Sequence, residues 1–283
     1  MVAVTDFGHR THSVPALMPL RGRLGSLTPL AATALIFIAL MPATLVAMGL
    51  DTRVFQGDDI WLKPFKFQIA LAVFFATVAW FGIYTSDRFR SSAAVRWFTY
   101  AASFAALGEI VWIGGAAFFG TASHFNVGTP TMAIIYSVMG VFAVTLTTSA
   151  LVVGIGVLRN KESLLADPMR LALGWSMILT FVATIITAGY MSSAPGHLVG
   201  DEAQRAAHWL IGWSTQVGDL RVPHFFATHA IHFVPVFALG VVALVQRPTP
   251  AKIVVWALLA GYTFLIAFTF QQAIAGLPLI GSL

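Results

Sequence analysis

The chain is 283 residues long, 58% hydrophobic and only 10% charged, with a mean hydropathy of +0.84. A soluble domain carries about 25% charged residues, so this composition excludes an ordinary soluble globule and specifies a polytopic membrane protein. The formal net charge of +5 comes from basic residues dispersed at the ends of apolar runs, which reads as membrane topology and excludes a nucleic-acid surface.

A helix crosses the hydrocarbon core with about 20 apolar residues. Seven runs qualify in chain order: Leu30–Leu50, Phe67–Tyr84, Trp97–Phe119, Met132–Leu158, Leu171–Tyr190, Phe225–Val245 and Ile253–Ala275. The sequence therefore predicts an all-α bundle of seven transmembrane helices over residues 29–283, preceded by a disordered basic tail over 1–28. Leu30–Leu50 is long enough to span, so it is read as an uncleaved first span and not as a signal peptide. The fourth run is long and is expected to tilt or to extend beyond the bilayer.

Lys and Arg fix the expected direction. One side collects Arg10, Arg21, Arg23, Arg88, Arg90, Arg96, Arg159, Lys161, Arg170, Arg247 and Lys252, while the other holds only Arg53, Lys63, Lys66, Arg205 and Arg221. The positive-inside rule then places the N-terminus in the cytoplasm and the C-terminus outside, as in a multi-pass protein of a bacterial inner membrane. With that topology the conspicuous polar residues gather outside: Lys63 and Lys66 before span two, His124 and Asn126 between spans three and four, and Asp219, Arg221 and His224 before span six.

Span six carries the densest signal. His224, His229 and His232 fall within nine residues, and at about 100° per residue they occupy one arc of about 140°. Polar side chains at bilayer depth are costly unless paired, hydrated or bound. Glu109, the one acidic residue well inside a span, lies about 15 Å below the external end of span three, close to the depth of His232.

If spans three and six touch, Glu109, His229 and His232 form a two-nitrogen, one-oxygen set for zinc or iron. The chain has no cysteine, so thiolate ligands, disulfides and iron–sulfur clusters are excluded. The expected function is a metal-dependent membrane hydrolase or oxidoreductase acting on an amphiphilic or anionic small molecule. His224 and His124 are its candidate acid/base groups, with Asp219 as the acceptor behind His224. Lys63, Lys66, Asn126 and Arg221 are its candidate substrate contacts.

Two other uses of the same residues stand beside this one. Haem b needs two axial ligands on opposite faces, and span six supplies one comfortably, with His124 or Met132 as the second. A proton-coupled transporter would use Glu109 and the histidines as a relay, but the cytoplasmic half offers only Thr145, Thr147, Thr148 and Ser149. The bland alternatives are also physical: histidines bonding across helices, Lys63 and Lys66 snorkelling to headgroups beside Trp61, Phe65 and Phe67, and Asp219 pairing with Arg221 to fix a loop. Pro235 is expected to kink span six and free a carbonyl near the histidines.

Overall fold

In a computed structural model of the chain, residues 24–163, 165–201, 212–245 and 247–281 are described. Seven long apolar helices are present: α1 (Thr28–Leu50), α2 (Leu62–Gly82), α3 (Ala93–Phe119), α4 (Pro130–Arg159), α5 (Asp167–Ser193), α6 (Arg221–Leu244) and α7 (Pro248–Ile274). Each is long and apolar enough to cross a membrane. Most of the expected tail lies outside the described residues, but its last part does not. Leu24 and Leu27 are buried, and the Ser26 hydroxyl donates to the Ser92 carbonyl at 2.8 Å.

The helix starts follow local chemistry that hydropathy alone cannot see. Pro130 occupies the first turn of α4, and the Thr129 hydroxyl before it accepts from the Met132 N–H at 3.2 Å, a standard N-terminal cap. α4 runs for 30 residues, about 45 Å at 1.5 Å per residue, which is longer than a hydrocarbon core. α2 begins at Leu62, five residues before the expected Phe67, so Lys63, Pro64 and Lys66 sit in its opening turns. α6 likewise begins at Arg221 and takes in His224.

Between α1 and α2, β1 (Val54–Phe55) pairs with β2 (Asp58–Asp59), Val54 opposite Asp59 and Phe55 opposite Asp58. The two turn residues, Gln56 and Gly57, both have positive φ (55° and 92°), the turn that matches the twist of a two-residue hairpin. Arg53 forks onto Asp51 (2.7 and 2.9 Å) and donates to the Phe118 carbonyl (2.9 Å), and the Trp61 indole donates to Asp51 (2.8 Å). Those bonds from Arg53 and Trp61 hold the Asp51 carboxyl well below the usual carboxylate range. The network ties the hairpin to the end of α3. A second ribbon pairs β3 (Leu198–Val199) with β4 (Gly218–Asp219) ahead of α6.

The helices pack as two groups. α1 through α4 enclose one apolar core with Phe37, Phe75, Val78, Ala105 and Val153, and α5 with α6 and α7 encloses another with Ala183, Ala227, Val234, Val255 and Ile266. α5 joins them, since Leu173 and Met177 belong to the first core and Ala172 and Ala183 to the second. Side-chain complementarity at this joint is tight: a Cβ on Gly154 of α4 would meet the Gly174 carbonyl at 2.9 Å. α6 packs on α5 and α7 and has no extensive contact with α2 or α3. Ile231 of α6 is nonetheless fully buried within the first core, so α6 touches the first group there.

Candidate functional site

The candidate polar residues come from several elements. Lys63 comes from the first turn of α2, Glu109 from α3, His124 from the α3–α4 loop, and His224, His229 and His232 from α6. The three α6 imidazoles are half-buried, Lys63 is exposed and Glu109 is buried.

His224 reaches across to α5, its Nδ1 3.3 Å from the Thr187 hydroxyl oxygen. That hydroxyl also lies 2.9 Å from the Ala183 carbonyl; when it donates there, it accepts from the ring, which puts the neutral imidazole's proton on Nδ1 and leaves the Nε2 lone pair open. His232 turns the other way, with Nε2 3.2 Å from the Thr77 hydroxyl of α2. Thr77 donates to the Val73 carbonyl at 2.8 Å, so the same reasoning leaves Nδ1 of His232 open. This bond joins α6 to α2 about 17 Å along α6 from its start.

His229 lies between these two. Its ring centroid is 5.3 Å from that of His232 and 4.2 Å from that of Phe225. Its Nδ1 is buried and without a partner among the described residues. The three imidazoles therefore share an arc, as the helical spacing predicts, but point to three different neighbours. Below them the Ile231 N–H donates to the Thr180 hydroxyl at 2.8 Å.

His124 lies in the α3–α4 loop. Its Nδ1 is 3.1 Å from the Ser123 hydroxyl, and its ring lies 5.6 Å from Phe67 and 6.2 Å from Tyr136. The next residue, Phe125, has φ of 57°, uncommon for a bulky side chain and a mark of local strain. Burial first, then the positive Lys63 and the facing His224, hold the His124 imidazole down at about 3. An unfolded histidine titrates near 6.5, so below that pH the unfolded chain binds a proton that the folded loop refuses. Stability should then fall progressively from about pH 6.5 towards about pH 3 and be unaffected by this group above that window. Measured by chemical unfolding, His124→Gln should lose less stability than the wild type between about pH 7 and about pH 4. Equal losses would remove the interpretation.

Glu109 is only 4% exposed, and neither carboxyl oxygen has a hydrogen-bond partner among the described residues. Its electrostatic partner is Lys63, although the two form no contact ion pair. The expected set of Glu109 with His229 and His232 is not brought together: among the described residues no three His, Asp or Glu side chains are placed to hold a metal ion. The reason is helix packing. α3 pairs with α1, α2 and α4, so its buried carboxylate looks across to α2.

The remaining candidates divide cleanly. Asp219 is buried and accepts from the Ser214 and Arg221 backbone N–H groups, both at 3.0 Å, and from the Arg221 guanidinium at 2.6 and 2.9 Å. Arg221 also donates to the Gly212 carbonyl at 2.6 Å. The described bonds of this pair brace the loop into α6 and do not run to His224. Asn126 donates to the Thr121 hydroxyl (3.2 Å) and the Ala122 carbonyl (2.9 Å), closing the turn that presents His124. Lys66 is exposed and forms no ion pair among the described residues. The residues that sequence reasoning missed are Thr77 and Thr187, the hydroxyl partners of His232 and His224; a Thr inside an apolar run is the only signal they leave.

Compared with protein-family models, with curated proteins and with solved structures, the chain matches none.

Proposed function

We propose that this multi-pass protein is a membrane enzyme that binds an oxyanion-bearing amphiphile at the end of the bundle that carries Lys63, His124 and His224, and exchanges protons with it. Lys63 neutralises the anionic group. His224 acts as base through its open Nε2, and His124 serves as the second acid/base group. By the distribution of Lys and Arg, the site lies on the external face of a bacterial inner membrane. What supports this reading is the placement of His124, in the α3–α4 loop, where charge on Lys63 of α2 and on His224 of α6 both bear on its imidazole.

A transporter would need a polar route through the rest of the membrane. In α4 the hydroxyls of Thr145, Thr147, Thr148 and Ser149 each donate to a carbonyl one turn back in their own helix, so that row offers no free relay. A set of polar groups confined to one end of the bundle suits a bound substrate better than a transit path.

The test is turnover. Purified protein is incubated with a total polar lipid extract, and consumption is followed by mass spectrometry. The expected result is an oxyanion-bearing lipid consumed by the wild type, with His124→Ala and His224→Ala slowed about 10²–10⁴-fold, the range of one acid/base group. Identical lipid profiles for the wild type and the double variant would overturn the proposal. Metal retained by the wild type and lost from His229→Ala and His232→Ala would instead carry a metal-dependent form of the enzyme. A Soret band would move the histidines to haem.

A further inference from the structure

We propose that an anionic phospholipid is held between α6 and α7 at the end of α6 away from His224, one acyl chain in the groove between the two helices and the phosphate among the cations at its mouth. This does not rest on the activity proposed above. The groove is lined by Phe237, Gly240 and Leu244 of α6 and by Val254, Ala257 and Leu258 of α7, all apolar. At Val245 it joins a second hollow, which extends it to Pro248 and to Asp167 at the start of α5. From Pro248 to Leu258 it follows α7 for about 15 Å, half of a hydrocarbon core about 30 Å thick. That is the depth of one leaflet, and so the reach of one acyl chain. Gly240 keeps the space open: a Cβ there would meet nothing within 4 Å, and Phe237, Leu244 and Val254 are exposed around it.

Apolar walls alone would admit any acyl chain, since lipid tails are as apolar as the helices they touch. The mouth is what selects. Asp167 pairs with Arg170 at 2.9 Å and with Lys252 at 2.6 Å, a bridge from α5 to α7 that leaves one positive charge in excess. Arg247, exposed immediately before the first turn of α7 and without an ion pair among the described residues, adds a second. The distribution of Lys and Arg places this end on the cytoplasmic side, where basic groups beside membrane spans attract anionic lipids. A zwitterionic lipid would bring its own ammonium to the same cations. A helix from a second copy would cover the apolar walls but leave the cations without an anion.

The experiment uses the full chain in detergent and reads bound lipid and oligomeric state by native mass spectrometry. The probes are phosphatidylglycerol and phosphatidylcholine with identical acyl chains. The wild type should retain phosphatidylglycerol over phosphatidylcholine by about fivefold or more, the effect of one basic residue beside an anionic head group. Arg247→Gln should remove most of that preference and Arg247→Lys should keep it. Gly240→Leu and Ala257→Leu fill the groove from its two walls, and each should weaken both lipids together. His224→Ala should change neither, which separates this lipid from a substrate at the other end of α6. Equal retention of the two lipids by the wild type, or a preference unchanged in Arg247→Gln, overturns the anionic head group. Retention unchanged in both groove-filling variants, or lost in His224→Ala, overturns the groove as its place. A lipid-free wild-type dimer that both groove-filling variants split into monomers gives the groove to a second copy and overturns the lipid.

Discussion

Asp219→Ala is expected to cost about 3 kcal/mol of stability, because it leaves the Arg221 fork and two backbone amides without their acceptor. The side chain is 1% exposed and lies in β4, two residues before the start of α6. It fixes the Ser214 N–H, the Arg221 N–H and the guanidinium at once. Loss of the carboxylate frees the loop that leads into His224, so the variant should also lose ligand binding without any change to Lys63, His124 or His224 themselves. Asp219→Asn keeps the shape and the acceptor oxygen but not the charge, and should fall between. Denaturant unfolding of the purified protein measures both, and a variant within about 1 kcal/mol of the wild type would show that the pair is dispensable.

The neighbouring residue gives the second large effect. A Cβ on Gly218 would lie 2.0 Å from the Ala273 carbonyl oxygen and 2.9 Å from the Gly276 Cα. Both obstacles are backbone, so neither can move aside by a rotamer change, and β4 must lift from the end of α7. Gly218→Ala should destabilise by about 3 kcal/mol, at the upper end for overpacking. Gly240→Ala in α6 is the control, since nothing lies within 4 Å of the added carbon, and there alanine's helix propensity should add up to about 1 kcal/mol. Unfolding midpoints shifting in the same direction for both would defeat the steric account. Gly218 and Asp219 share one ribbon, so their effects should not add.

The seven spans were legible because the bilayer imposes a length and an apolarity that few other structures require. Helix ends were less so: Lys63, Pro64 and Lys66 belong to α2 because a proline suits a first turn, a signal that a hydropathy window dilutes. The shared arc of His224, His229 and His232 followed from helical periodicity alone. Their partners did not, since which helix faces which is set by the summed complementarity of many Ala, Gly and Phe side chains. Glu109 illustrates the limit. Its depth was read correctly along its own helix, but the residue opposite it was Lys63 on α2, and no one-dimensional pattern orders helices around a bundle. The Asp219–Arg221 brace was readable as one of two options because the pair is local in sequence.

The double membership of α5 bears on biogenesis. Leu173 and Met177 are 1% and 0% exposed within the core of the first four helices, so that core stays incomplete until the fifth helix has left the translocon. The N-terminal four should therefore linger as a loosely associated set during synthesis and consolidate only when α5 arrives, the same moment at which α6 and α7 acquire a surface to assemble on. Ile231 of α6 is also fully buried in that first core, so the order of emergence from the ribosome makes the joint between the halves the last region to close.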